Sequence, residues 1–312
     1  MPAPILLLPP PPTRQESLET LLQQITTDKT HPTLKRLLLD SAVSTVHPVL
    51  ARNRWITIND EDYLRIAPAI AVATRILTGD RAMHFWHALV VGKQVSSDGK
   101  GEKSQRMYED PDGSLPTAER EKVKQMLNEL AGLVMFDCED LNSNTFGRTI
   151  HLPERFSSNT PGGIRSLITL RRDLMDEIDL QVRPPYALLR RWFIIAVTLL
   201  HEIAHALHAA RYGSGAEREF EDDGFIEIGF ALEKWLFGGQ PVLGEQGELL
   251  QWYYDGWGDR EAVHGRFARG WASVMLERAS DIWANEGEDG KIPATARDVR
   301  ALNMAGGKSV LA

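Results

Sequence analysis

Cysteine is nearly absent from this chain: Cys138 is the only one in 312 residues. A single thiol cannot form an intrachain disulfide, and it cannot supply the paired thiolates of a Cys₂His₂-type zinc site. The lack of disulfides suits a reducing compartment. Positive charge is in short supply too, with 35 Lys and Arg against 43 Asp and Glu and a formal net charge of −8. That balance argues against a broad surface for nucleic acid or an anionic membrane. Long hydrophobic runs are also missing. The longest strongly apolar one, Trp192–Leu200, is nine residues, short of the roughly 20 that cross a bilayer. At the start, "MPAPILLLPPPPTRQ" has no positively charged segment before Ile5–Leu8 and runs into Pro9–Pro12. It reads as an extended polyproline arm rather than a signal peptide. The expected location is therefore cytoplasmic, with neither nucleic acid nor membrane as partner.

What is present is ordinary for a globular chain: 43% hydrophobic and 25% charged residues, enough for a sizeable core. Apolar residues at helical spacing run through "LETLLQQI", "PTLKRLLLDSAV" and "PAIAVATRILTGDRAMHFWHALV". The polar, glycine-rich stretch 92–116 predicts a flexible loop. "TAEREKVKQMLNELAGL" predicts a helix with Thr117 as its N-cap. "FGRTIHLPERF" reads as a strand running into a turn, and "IRSLITLRRDLMDEI" as a helix or a strand and helix. A long helix follows, started by Pro184 and Pro185 and stopped by Gly213 and Gly215. After the acidic run "GAEREFEDD" a second apolar helix spans "GFIEIGFALEKWLFGG". An aromatic cluster, "QWYYDGWGDREAVHGRFARGW", and a helix through "ASVMLERASDIWA" complete the chain. The fold class expected is mainly α (α+β), divided into a helical N-terminal region, 1–145, and a C-terminal region, 146–312, that together form one domain or two.

Inside the long helix, His201-Glu202-Ile203-Ala204-His205 is an H-E-x-x-H sequence. Residues four apart share one helical face, so both imidazoles can reach one ion. Glu202 projects about 100° away from His201, where its carboxylate can take a proton from an attacking water rather than bind the ion itself. Zinc suits these ligands and lowers the pKa of a bound water to roughly 7. With 9 histidines in the chain and average glutamate usage, chance supplies only about 0.02 such matches. His208 shares the face of His201, but lies about 10 Å further along the axis, so it is read as a group supporting the site rather than as a ligand. Metzincins continue the motif with Gly and then a third His; here His208 and Arg211 occupy those places, which excludes that arrangement.

"LLHEIAHALH" followed by "GFIEIGFALEKWLFGG" resembles a gluzincin-type zinc metallopeptidase, within the zincin group. The resemblance covers about Arg148 to Gly239, and H-E-x-x-H is its specific part. It implies a zincin-like catalytic region with a small β-sheet, an active-site helix carrying the motif, one zinc ion per chain and a third ligand from a Glu on the next helix. The acidic candidates after His205 are Glu217, Glu219, Glu221, Asp222, Asp223, Glu227 and Glu233. The first five belong to the run "EREFEDD", which reads as a solvated face. Glu227 is flanked by Phe225, Ile226, Ile228 and Phe230, where an unpaired carboxylate is penalised. Its small stripe Gly224, Glu227 and Ala231 would let the two helices approach. Glu227 is thus the expected third ligand; Glu233 is read as a supporting group, a salt-bridge partner or the alternative third ligand. Gluzincins often place an Asp four residues after the ligand Glu to pair with the first His; Ala231 stands there, and Asp223 is the expected substitute.

An oxyanion donor is sought among Tyr253, Tyr254 and His264, with Tyr212 at the helix end as a further candidate. The strand "GRTIHL" is placed where zincins carry a substrate-binding edge strand. The expected activity is a zinc-dependent hydrolase with Glu202 as general base, most simply a metallopeptidase. The alternatives are a zinc enzyme acting on a small-molecule amide or ester, and a non-catalytic zinc-binding protein.

Overall fold

The computed structural model describes residues 41–42, 44–92, 94–96, 103–105, 115–142, 145–152, 164–178, 185–213, 227–237, 240–243, 249–252 and 265–266. The proline-rich arm, the first predicted helices except for Ser41 and Ala42, the acidic run and the helix expected through "ASVMLERASDIWA" lie outside the described residues.

After two short 3₁₀ helices, Pro48–Leu50 and Arg52–Arg54, come three α-helices: α1 (Asp60–Arg65), α2 (Ala67–Thr78) and α3 (Asp80–Val91). Asn59 caps α1, its side chain accepting from the Asp62 N–H at 2.8 Å. The helical spacing across Pro68–Val90 is realised as α2 and α3, separated at Gly79, which adopts an extended backbone. Within 92–116, expected as a loop, Gln94–Ser96 (β1) and Lys103–Gln105 (β2) form an antiparallel ribbon. Its polar strands carry no apolar alternation that would have marked them. Helix α4 (Thr117–Leu130) is capped by Pro116 without a side-chain bond, one residue before the expected Thr117 cap.

Strand β3 (Val134–Glu139) escaped the sequence reading although its burial alternates, with Val134, Phe136 and Cys138 facing inward. It pairs in parallel with β5 (Ser166–Arg171), which pairs antiparallel with β4 (Gly147–His151). The sheet order β3-β5-β4 leaves β4 at an edge among the described residues. The short helix α5 (Asp173–Asp176) follows β5, so "IRSLITLRRDLMDEI" is a strand followed by a helix. Strands from both sides of residue 145 share this sheet, and the expected division passes through it. Phe136 stacks on Trp55 with centroids 4.8 Å apart, worth about 0.5–1.5 kcal/mol beyond its area burial.

The centre of the core is α6 (Pro185–Tyr212). It packs against α2, against β4 and β5, and against α7 (Ile228–Phe237). From Trp192 to Leu200 every side chain is buried, as expected for a helix apolar on all sides. Taken as a whole helix rather than a strict apolar run, Arg190–Tyr212 is long and apolar enough to cross a membrane. Yet 83% of its most apolar window is buried within the fold. Trp192 Nε1 donates to the Arg65 carbonyl at 2.8 Å, fixing α6 against the end of α1. Gly213, with φ +92°, ends α6 in the left-handed region as the sequence predicts.

Helix α7 is anchored twice. Arg81 Nε donates to the Trp235 carbonyl at 2.7 Å and Trp235 Nε1 donates to the Arg81 carbonyl at 2.8 Å. Phe237 meets Phe193 of α6 edge to face at 5.5 Å. Beyond it, β6 (Gln240–Leu243), β7 (Leu249–Trp252) and β8 (Gly265–Arg266) form a small antiparallel sheet. The described residues are therefore mostly helical with little β-structure, in agreement with the mainly α (α+β) class.

Cys138 is 2% exposed on the inner face of β3. Burial is the main cause that pushes its thiol pKa up to about 12, which leaves almost no reactive thiolate near neutrality. The native chain is expected to resist iodoacetamide over the time in which the urea-unfolded chain is fully alkylated. Mass spectrometry reads this directly, and equal labelling rates would contradict the burial.

Candidate metal centre

The motif histidines lie one helical turn apart on α6, with ring centroids separated by 5.1 Å. Glu227 enters from the start of α7. Its Oε1 faces His201 Nε2 at 3.2 Å and also contacts His205 Nε2. One ligand atom from each of His201, His205 and Glu227 falls within 4.8 Å of the other two. Two neutral imidazole lone pairs aimed at one carboxylate oxygen would repel it, so this arrangement requires a proton or a cation among the three groups. The side chains are 14%, 16% and 30% exposed respectively. Glu227 is thus the most accessible of the three.

Glu227 does not sit inside an apolar helix as expected; it is the N-cap of α7. Its Oε2 accepts from the Phe230 N–H at 2.7 Å and its Oε1 from the Gly229 N–H at 3.1 Å. The positive end of the helix dipole therefore supports the same carboxylate that faces the histidines. Burial alone would raise its pKa, but His201, and then His205, outweigh burial and hold it well below the usual carboxylate range. His201 shows the reciprocal shift. Burial opposes its charged form, yet Glu227 and then Glu233 carry its pKa well above the ordinary histidine value.

The other nitrogen of His201 is occupied. Its Nδ1 lies 2.6 Å from Glu233 Oε1, and Glu233 is 4% exposed. Of the roles read for Glu233, this contact is that of a supporting partner to His201, the place also expected for Asp223, which lies outside the described residues. Such a carboxylate fixes the tautomer and orientation of a ligand imidazole. Burial is the leading cause of a raised Glu233 pKa, partly opposed by the bond to His201.

The sequence reading also missed Gly229. A Cβ there would come about 2.5 Å from Cγ and Nε2 of His201, so α7 can lie on the imidazole only at a residue without a side chain. The helical close approach was expected at Gly224, which lies outside the described residues. A lone glycine inside an apolar helical stretch was the signal available. Gly229→Ala is expected to displace α7 and weaken zinc binding by at least about 10-fold, as loss of a supporting contact does. Unchanged affinity in a competitive chelator titration would show that the ring has room to move.

Glu202 is 5% exposed and points toward β4. Its Oε2 accepts from the Thr149 hydroxyl at 2.7 Å, and a Cβ on Gly147 would stand 2.8 Å from its Oε1. His208 is 2% exposed, with its ring against Tyr212 at 5.2 Å, outside the three-donor group. Tyr212 donates to the Leu89 carbonyl at 2.8 Å, a fold-bracing bond rather than an oxyanion contact. His151 is half-buried beside Ser166. Tyr253, Tyr254 and His264 lie outside the described residues.

No protein-family model, no curated protein and no solved structure matches this chain.

Proposed function

We propose that this protein is a zinc-dependent hydrolase with a zincin-like, gluzincin-type site, acting as a metallopeptidase. The observation that carries the reading is the convergence of His201, His205 and Glu227 within 4.8 Å, with Glu202 beside them on α6. Two imidazoles and one carboxylate form the donor set of a catalytic zinc centre. When bound, the ion supplies Lewis acidity, acidifying water and polarising a carbonyl.

The chain's own groups do the rest. Glu202 takes the proton of the attacking water and passes it to the leaving amine as the scissile bond breaks. Glu233 keeps the His201 ring oriented with its Nδ1 proton in place. Strand β4 supports a peptide over a small molecule. The bonds Arg171 N–H to Phe146 O and Leu152 N–H to Arg165 O place the even-numbered residues in register with β5. In an antiparallel pair, the backbone groups of Gly147, Thr149 and His151 then point away from β5, where an extended substrate can pair.

Metal analysis of the purified full chain is expected to find about one zinc per molecule, and an unbiased peptide library is expected to be cleaved. Absence of zinc, with no activity on adding it, overturns the proposal. Zinc without peptide cleavage, together with turnover of small amides or esters, moves the substrate class.

A further inference from the structure

We infer that Thr149 is the positioning residue of the general base, holding the Glu202 carboxylate through its hydroxyl; this rests on the hydrolase reading above. The carboxylate is buried and is held from one side by alternate residues of β4. Thr149 Oγ1 donates to Oε2 at 2.7 Å, while the missing side chain of Gly147 makes room for Oε1 and for Thr198 Cγ2. The same hydroxyl lies 3.1 Å from the Glu202 main-chain carbonyl.

A hydroxyl carries one proton to give and lone pairs with which to accept. Thr149 donates to Oε2, and the Glu202 carbonyl is a second acceptor within its reach. Oε2 is thus held in place, which leaves Oε1 as the oxygen that takes the proton from water and passes it to the leaving amine. In a buried place an unmade bond to Oε2 would be costly. Thr149 touches neither substrate nor ion. It acts through Glu202 by holding the base in one orientation.

The test uses Thr149→Val, which keeps the shape and removes the hydroxyl, and Thr149→Ser, which keeps the hydroxyl. On a peptide that the wild-type chain cleaves, Thr149→Val is expected to lower kcat by about 10–100-fold with KM little changed. Zinc affinity should stay the same, and Thr149→Ser should recover most of the loss. A second readout needs no activity. Thr149→Val should lower the Tm of the zinc-free chain by about 3 °C or more, Thr149→Ser should not, and the shift should vanish in a Glu202→Met background. Equal effects of Val and Ser, or a Tm shift that survives Glu202→Met, overturn the inference. So does an unchanged kcat in Thr149→Val while Glu202→Gln is inactive. If Glu202→Gln itself leaves turnover intact, the hydrolase reading fails instead, and the Tm arm still decides whether Thr149 serves Glu202.

Discussion

Glu202→Gln is expected to leave zinc bound and to lower peptide turnover by about 10²–10⁴-fold, the usual range for removing a general base. The amide has nearly the shape of the carboxylate and can still accept from Thr149, so the packing against Gly147 and Thr198 is preserved. It cannot take a proton from water. Because Glu202 points to β4 and lies outside the three-donor group, the metal affinity should be unaffected. Zinc content and kcat measured on the same preparation separate the two roles. Full turnover in the variant would falsify the assignment of Glu202 as base, and loss of zinc would make it a ligand.

Glu227→Asn should produce the largest change in metal binding, a fall in zinc affinity of more than about 100-fold, beyond what loss of a supporting partner costs. Asparagine is chosen because Glu227 does two things at once. It caps α7 through the Gly229 and Phe230 N–H groups, and it faces both motif histidines. Simple truncation to Ala would also remove the cap, at about 1 kcal/mol, and would confuse the two effects. Asn is among the best N-cap residues, but it is shorter and carries no charge. The zinc-free Tm should therefore change little while the chelator titration shifts strongly. Retained affinity would remove Glu227 from the ligand set.

Much of this site was legible because its spacing is local. The separation of His201 and His205 by one helical turn follows from helix geometry alone, and the stop at Gly213 from its freedom to adopt positive φ. Glu227 was reached as well, but by an argument that the structure replaces. It was taken for a penalised carboxylate in a helix interior, whereas it stands at the helix start, stabilised by two backbone donors. The roles open to Glu233, supporting group, salt-bridge partner or ligand, could not be narrowed, since which nitrogen of His201 it meets depends on how two helices cross. Thr149 and Gly147 could not be singled out either. Nothing in "FGRTIHL" says which face of the strand meets α6, because that face is set by pairing with β5. Strand β3 was missed for a related reason: a short alternating stretch after a helix carries little periodic signal, and a parallel partner far along the chain defines it.

The ties that hold α7 show how an inventory of ligands differs from a working arrangement of them. Both histidines and Glu227 have been made once the chain reaches residue 227. The bonds between Arg81 and Trp235, separated by 154 residues, and the contact of Phe237 with Phe193 come from later positions. During synthesis the chain passes through a length at which every donor atom exists while none of these anchors does. The aim of the proposed third ligand is thus set by residues outside the three-donor group.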